Sequence, residues 1–383
     1  MTPRLTQLGP LSVEDFLQNH WQKQAVFLPG ALPGFRSPLT PNEIAGLALE
    51  ADIESRLVVD TEQAPWQLES GPFSETRFAQ LPDSNWSLLV NAVDHWVPEL
   101  TELLHKFRFI ANWRLDDIMV SYAPPGGSVG PHFDYYDVFL LQGAGERQWQ
   151  LGQMCDSQSP LREGTDLKIL RDFSPAAEYL AKPGDILYIP PGVAHWGKAA
   201  SEDCVTYSIG FRAPSHADIL CDFAQEVASK LDNDKRFKDR IVDSREPSGL
   251  ITNATIDELR KIIVQHLDDR SIASWFGSYM TTPKYPQEDG DLQPLSDSEV
   301  VGLKQTNPWI EVNAASRFCY SEVDSNVKLF VDGHSYACSL NLASTLCNGR
   351  RWKWQKLADC APNACDQNLL LELLATGSLL ETP

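Results

Sequence analysis

The chain has 383 residues, long enough for two or three domains, and its 32 basic and 52 acidic residues give a formal net charge of −20. This acidity argues against direct nucleic-acid binding, which needs a basic surface. It suits a basic protein partner, although acidity also serves solubility alone. No apolar run reaches the length of a membrane span and no secretory leader opens the chain, so we expect a cytoplasmic protein. The eight cysteines contain no CxxC pair, and we expect them to be reduced.

Helical patterns precede a strand-rich region. Residues 12–15 have the pattern of a capping box that opens a first helix, and further helices are predicted over residues 86–95 and 98–104. From residue 118 onward, short apolar segments alternate with turns rich in glycine and proline, which is typical of a small β-barrel or double sheet. The predicted strands are residues 118–122, 138–142, 147–151, 186–189 and 205–211.

Two histidines and one carboxylate form a candidate metal site within this region. His132 and Asp134 stand two residues apart, so both would face the same side of a strand, while His195 would arrive from another strand after a Pro-Pro-Gly turn. Two histidines and a carboxylate that leave coordination positions open are the set that holds non-haem Fe(II) for oxygen chemistry. The H-x-D pattern alone is common by chance, and its surroundings make it informative.

Arg147 is the most informative of those surroundings. Period-2 alternation over residues 147–151 places Arg147, Trp149 and Leu151 on one face of a strand. An arginine among large apolar side chains needs an anionic partner, because an unpaired buried charge is very costly. A ligand carboxylate would supply that partner, since its two oxygens match the guanidinium fork.

Together these motifs resemble the JmjC-type, cupin-fold 2-oxoglutarate oxygenases. Within them they are most similar to the bacterial ribosomal oxygenases that hydroxylate an arginine of large-subunit ribosomal protein sixteen. The resemblance is close over residues 1–285 and looser beyond them. The segments that carry it are residues 16–24, 85–91, 126–139, 147–149, 183–192 with His195, and 207–212.

The resemblance implies an α+β chain with a double-stranded β-helix core and helical decoration. It implies that His132, Asp134 and His195 bind Fe(II), that Arg147 pairs with the distal carboxylate of 2-oxoglutarate, and that Ser121 donates a hydrogen bond to this co-substrate. With O2 as the other co-substrate, the expected reaction is hydroxylation of an arginine β-carbon on a basic large-subunit ribosomal protein.

Five polar residues are candidates for cradling the substrate arginine, from their positions alone. A guanidinium needs anionic or polar neighbours. For each acidic candidate, however, a loop cap or a surface charge is an equally good interpretation, and strand parity does not decide which way Ser208 faces. The candidates are Asp116, Asp117, Tyr135, Asp137 and Ser208.

We predict three parts along the chain: a catalytic domain over residues 1–213, a helical segment over 214–285 and a small winged-helix-like domain over 286–383. The helical segment has an apolar stripe at Ile219, Leu220, Phe223, Val227 and Leu231, and a second capping box at residues 255–258. The resemblance implies that this segment forms a homodimer, and packing of the stripe on the barrel is the alternative. Residues 283–290 have the composition of a linker.

Other functions stay open at this point. A basic cluster of Arg350, Arg351, Lys353 and Lys356 could contact a ribosomal or nucleic-acid surface, or could be a solvated face. Related enzymes hydroxylate histidine instead of arginine. A different cupin metalloenzyme and a non-catalytic ribosome-binding module are the alternatives from other classes.

Overall fold

The computed structural model describes residues 4–61, 65–238, 247–285 and 295–382. The chain divides near residue 213 into an N-terminal and a C-terminal compact unit. Among the described helices, none combines the length and apolar character that crossing a membrane requires. All eight cysteines are free thiols, as expected.

The N-terminal unit is built around two antiparallel sheets. An eight-stranded sheet has the order β3-β11-β8-β13-β7-β6-β4-β5, a three-stranded sheet has the order β10-β9-β12, and β1 pairs with β2. The strands are β1 (Gln7–Leu8), β2 (Leu11–Ser12), β3 (Val26–Leu28), β4 (Ser55–Val59), β5 (Gln67–Ser70), β6 (Trp86–Val90), β7 (Leu115–Ala123), β8 (Val138–Ala144), β9 (Arg147–Met154), β10 (Ala177–Ala181), β11 (Ile186–Ile189), β12 (Val193–Ala199) and β13 (Cys204–Phe211).

Side-chain alternation along the large sheet separates its two faces. On β8, Phe139 and Leu141 pack into the main hydrophobic core on one face. Val138 and Leu140 point the other way and share a second core with Trp149 of β9. Because this second core joins both sheets, the sheets pack face to face and enclose an inner surface. This is the double-stranded β-helix that the family resemblance implies.

Helices cover the outer face of the large sheet. The first begins where predicted, since the Ser12 hydroxyl accepts a hydrogen bond from the Asp15 amide. Residues 86–90, however, are a strand and not a helix: β6 is hydrogen-bonded to β4 and β7, and its apolar run is buried on both faces. The helices are α1 (Val13–Asn19), α2 (Pro41–Leu47), α3 (Glu75–Ala79) and α4 (Pro98–Lys106), with single 3-10 turns at Val93–His95 and Asn112–Arg114.

The C-terminal unit is a mixed α+β structure with its own core of leucine, tryptophan and valine side chains. The second predicted helix begins earlier than expected, because Thr252 caps it by accepting a hydrogen bond from the Thr255 amide. The elements are α5 (His216–Ser229), α6 (Asn253–Val264), α7 (Asp269–Thr281), α8 (Asp297–Thr306), β14 (Trp309–Val312), β15 (Phe318–Val323), β16 (Asn326–Val331), β17 (His334–Ala337), α9 (Leu340–Asn348), β18 (Arg351–Lys353), α10 (Trp354–Ala358), α11 (Ala364–Ala375) and β19 (Leu379–Thr382). Most of the linker predicted at 283–290 lies outside the described residues.

A buried carboxylate fastens the start of β8 to its surroundings. Asp137 is fully buried and accepts hydrogen bonds from the Tyr188 hydroxyl at 2.6 Å and from Gln22 Nε2 at 3.1 Å. Arg114 Nη2 lies 3.1 Å from the same carboxylate. Both oxygens of the Asp137 carboxylate therefore have partners inside the protein, and its role in holding the substrate stays a prediction.

We expect Asp137→Ala to lower the free energy of unfolding by about 3–5 kcal/mol, because it leaves the largely buried Arg114 guanidinium without its carboxylate partner. Urea denaturation followed by circular dichroism measures this change. Asp172→Ala is the control, since the Arg171–Asp172 pair is exposed and its loss should cost less than about 1 kcal/mol. Equal losses in the two variants would contradict the structural role of Asp137.

Candidate metal and co-substrate site

A two-residue backbone bridge assembles the three predicted metal ligands. The His132 amide donates to the His195 carbonyl at 3.0 Å, and the His195 amide donates to the His132 carbonyl at 2.8 Å. The Gly192 amide also donates to the Asp134 carbonyl at 2.8 Å. Gly192 has φ of +83°, a conformation that favours glycine and turns the chain into β12. The bridge thus joins two segments about sixty residues apart.

The side chains of the three residues converge on one point. One ligand atom from each of His132, Asp134 and His195 lies within 4.8 Å of the others. The two imidazole centroids are 4.2 Å apart, and His195 Nε2 lies 3.7 Å from Asp134 Oδ2. This spacing is close enough for a single ion to bind all three.

Local hydrogen bonds select the tautomer of each histidine. His132 Nδ1 is 2.9 Å from the Gly130 carbonyl, and His195 Nδ1 is 3.0 Å from the Val193 carbonyl. Because a carbonyl oxygen only accepts, each Nδ1 carries a hydrogen and each Nε2 presents its lone pair. Burial, reinforced by neighbouring His132, lowers the pKa of His195 to about 4, so this ring is neutral at pH 7. The donor set of two imidazoles and a carboxylate fits Fe(II).

Arg147 lies on the inner surface, on the strand next to His195. It is only 4% exposed, and its Nε and Nη2 atoms are buried with no hydrogen-bond partner among the described residues. In the register of β9 and β12, Arg147 is opposite Ala199, four residues beyond His195. A buried cation with unpaired donors requires an anionic ligand, and this surface leads directly to the metal ligands.

A row of small polar side chains lies on the inner face of the large sheet. Ser121 is paired in register with Thr206, which is paired with Gln142 of β8. The Thr206 hydroxyl donates to Gln142 Oε1 at 3.0 Å, and the Ser121 hydroxyl is 3.5 Å from the Thr206 carbonyl. Gln142 and Arg147 flank the turn between β8 and β9. Thr206 and Gln142 were missed by the sequence analysis, although both are polar residues at inward positions of apolar strands.

The predicted substrate residues occupy different environments. Ser208 is opposite Met119 and Leu140, which places it on the inner face, and Asp117 is buried two residues further along β7. Asp116 pairs with Arg212, whose Nε lies 3.1 Å from the Asp116 carboxylate. Tyr135 is 59% exposed.

Tyr136 is a neighbour of the metal ligands that the sequence analysis missed. Burial of its hydroxyl, followed by the charge and hydrogen bonding of Asp134, raises the pKa of Tyr136 well above its ordinary value. The hydroxyl therefore stays protonated and faces the carboxylate. No sequence pattern distinguishes Tyr136 from Tyr135 beside it.

Comparison with known proteins identifies the architecture. The family model described as a JmjC domain matches residues 102–219, and the model described as a ROXA-like winged helix matches residues 261–380. These matches confirm the JmjC fold and the winged-helix-like C-terminal part of the chain.

Two curated relatives span most of the chain. The ribosomal protein uL16 3-hydroxylase of Escherichia coli is 36% identical over 285 residues, which cover 74% of this chain and 75% of the relative. The probable ribosomal oxygenase of Haemophilus influenzae is 30% identical over 380 residues, covering 95% and 93%.

Solved structures of E. coli YcfD share the whole fold. An X-ray structure has a TM-score of 0.88 at 29% identity and covers 99% of this chain and 100% of that one. A YcfD ribosomal oxygenase structure in complex with cobalt and 2-oxoglutarate has a TM-score of 0.83 at 29% identity, covering 98% and 100%.

Asp134→Ala should weaken binding of Co²⁺ by roughly a hundredfold or more, because it removes the only charged donor of the set; even loss of an outer-shell partner typically costs 10–100-fold. Isothermal titration with CoCl2 under nitrogen measures the dissociation constant. The matched control is Asp172→Ala, which removes an exposed carboxylate and should leave the affinity unchanged. Wild-type affinity in Asp134→Ala would rule out this set as the metal site.

Proposed function

The chain belongs to the ribosomal oxygenases of the JmjC family, and we propose that it hydroxylates an arginine β-carbon of a large-subunit ribosomal protein, using Fe(II), 2-oxoglutarate and O2. The observation that carries the proposal is the buried guanidinium of Arg147, whose Nε and Nη2 have no hydrogen-bond partner among the described residues, on the surface that also presents the three metal ligands. A metal triad alone fits many enzymes. The added arginine specifies a co-substrate with a carboxylate at its far end.

Residues His132, Asp134 and His195 would hold the iron. Bound Fe(II) supplies the oxidising chemistry, in which one atom of O2 enters the substrate C–H bond and the other enters succinate, formed from 2-oxoglutarate with loss of CO2. The protein positions the reactants and excludes water from the space around them.

The distal part of 2-oxoglutarate would bind at the far end of the inner surface. Arg147 would pair with the distal carboxylate, and the Ser121 hydroxyl would donate a hydrogen bond from the facing sheet. Both residues are less than 9% exposed, so each interaction would form away from water and gain strength accordingly. Trp149, Leu187 and Ile189 belong to the buried apolar core that joins the two sheets, and this core would keep water from the same region.

The substrate arginine would enter from the opposite end, where polar groups face the ligands. Asp117 and Ser208 on the inner face are the best placed of the predicted residues, and exposed Tyr135 would cover the entering side chain. Asp116 is held by Arg212, so its contribution would be to shape the rim. A guanidinium is favoured over an imidazole because its positive charge is permanent and its fork matches a carboxylate.

The net charge of −20 also suits the proposed substrate. Ribosomal proteins are basic, and complementary charge raises the rate of encounter between partners. We place this reaction in the cytoplasm, where ribosomal proteins are made and assembled.

We further propose that residues 1–213 are the catalytic domain, 214–285 a dimerisation segment and 286–383 the winged-helix-like domain. Helix α6 has no buried residue among the described part of the chain, and its apolar side chains are 40–63% exposed. An amphipathic helix normally buries its apolar stripe, and a second copy of this chain would cover it. The exposed residues are Ile256, Leu259, Ile262, Ile263 and Val264.

The direct test of function is mass spectrometry of ribosomal proteins from a strain that lacks the gene. One arginine should lose the mass of an added oxygen atom, and the wild-type gene should restore it, whereas the Asp134→Ala gene should not. Loss of the oxygen from a histidine would favour the histidine hydroxylases, and an unchanged set of ribosomal proteins would overturn the proposed activity.

Arg147→Ala should raise the KM for 2-oxoglutarate by roughly a hundredfold, because a charge-assisted pair with the distal carboxylate is lost. Succinate release with a peptide substrate measures the effect, and Co²⁺ affinity should stay at the wild-type value. Arg171→Ala, which removes an exposed arginine, is the matched control. An unchanged KM in Arg147→Ala would contradict its assignment to the co-substrate.

Ile263→Glu should convert the proposed dimer to a monomer, because it places a charge in the apolar face of α6. Sedimentation equilibrium measures the mass. Gln265→Glu adds a charge at the end of the same helix and should leave the dimer intact. A monomeric wild-type protein would contradict the dimer and leave the catalytic proposal standing.

A further inference from the structure

A tryptophan lies between the metal ligands and Arg147 on the floor of the inner surface. The ladder of β9 and β12 pairs His195 with Leu151, Gly197 with Trp149, and Ala199 with Arg147. Residues paired directly across an antiparallel ladder share a face, so Trp149 stands midway along it. Its ring centroid is 6.1 Å from the His195 ring centroid and 5.7 Å from Arg147 Cζ.

The place that Trp149 occupies exists because residue 197 is glycine. A Cβ atom on Gly197 would lie 2.5 Å from Cζ3, 2.7 Å from Cη2 and 2.9 Å from Cε3 of the indole. The six-membered ring therefore lies directly on the backbone of β12. A larger residue at 197 would push the indole off this strand and into the space above it.

The other edge of the indole has an unused donor. Trp149 is 6% exposed, and its Nε1 is buried with no hydrogen-bond partner among the described residues. Since Nε1 is on the edge of the indole opposite Cε3, this N–H is turned away from Gly197. With Arg147 Nε and Nη2, it makes three buried, unsatisfied donors in one short stretch of β9. Buried donors of this kind are rare unless a ligand completes them.

Any molecule that joins the metal ligands to Arg147 must pass along this indole. His195 and Ala199 are four residues apart, which is about 13 Å of extended strand. The long Arg147 side chain covers part of that distance, and Trp149 fills the space beside the remainder. The ring therefore limits how far a flexible ligand can bend or lengthen between its two fixed ends.

We propose that the Trp149–Gly197 contact sets the chain length of the 2-oxo dicarboxylate that the enzyme accepts. The indole restricts the channel to a five-carbon ligand, and Gly197 fixes the height of the indole. This inference rests on the proposed function, because it takes Arg147 as the anchor of the distal carboxylate.

The test compares 2-oxoglutarate with 2-oxoadipate, which is longer by one methylene. Dissociation constants are measured by isothermal titration on Co²⁺-loaded protein under nitrogen, and KM values are measured by succinate or glutarate release from iron-loaded protein. Wild type should prefer the five-carbon acid. Trp149→Val should reduce that preference by roughly tenfold or more, since a pocket typically discriminates one methylene by 10–200-fold and this discrimination is lost with the wall.

Two further variants test whether Trp149 limits the length of the ligand or only packs in the core. Gly197→Ala should weaken binding of 2-oxoadipate more than binding of 2-oxoglutarate and so increase the preference for five carbons, because the added Cβ pushes the indole into the channel. Trp149→Phe keeps an aromatic ring, loses the N–H and should weaken 2-oxoglutarate binding by roughly tenfold if that donor is used. Trp354→Val, a buried tryptophan of the C-terminal unit, is the control for loss of stability without loss of preference.

The outcomes distinguish failure of the proposed length limit from failure of the proposed function. If Trp149→Val binds 2-oxoglutarate and its preference for the five-carbon acid stays within twofold of wild type, the proposed limit on ligand length is wrong and the proposed function stands. If Trp149→Val does not fold, Gly197→Ala and Trp149→Phe decide the question. The proposed length limit is wrong if both variants keep the wild-type preference and the wild-type affinity for 2-oxoglutarate. Failure of wild-type protein to bind 2-oxoglutarate would overturn the proposed function itself.

Discussion

The backbone bridge between His132 and His195 is the interaction on which the whole site depends. Two hydrogen bonds of 3.0 and 2.8 Å join a loop after β7 to strand β12, and no ligand atom would be in place without them. The bridge also fixes the register of everything that follows on β12. Because β12 pairs with β9, positioning His195 at the bridge positions Gly197 and Ala199, and therefore Trp149 and Arg147. One local pairing thus sets both ends of the inner surface.

The two ends of that surface are opposite in charge. Its deep end holds a buried guanidinium with unpaired donors, and its other end is bordered by the carboxylates of Asp134 and Asp117. Under the proposed function, the distal carboxylate of the co-substrate would bind at the arginine end and the cationic substrate at the carboxylate end. In a chain with net charge −20, one buried arginine is enough to create this division.

The sequence predicted the parts of the fold that follow from local periodicity. Alternation placed Arg147, Trp149 and Leu151 on one face, and turn residues bounded β11 correctly. The run at residues 86–90 was assigned to a helix because a strand buried on both faces has no period-2 signature. The internal partners of Asp137 were not predicted, because Arg114 and Tyr188 lie 23 and 51 residues away. Contacts of that kind depend on tertiary pairing, which local sequence does not encode.

The carbonyls of Gly130 and Val193 have a consequence for metal choice. Each carbonyl belongs to the residue two positions before a histidine and orients that histidine's ring. The ring planes are therefore set by the polypeptide, and the ion contributes little to their arrangement. Such a pre-set group of two nitrogens and an oxygen has few means of discriminating among divalent ions of similar size. The Irving–Williams order then favours Co²⁺, Ni²⁺ and Cu²⁺ over Fe²⁺ at equal concentrations. The identity of the bound ion is accordingly a property of the cell's metal supply, and the protein would be vulnerable to replacement of its iron whenever that supply changes.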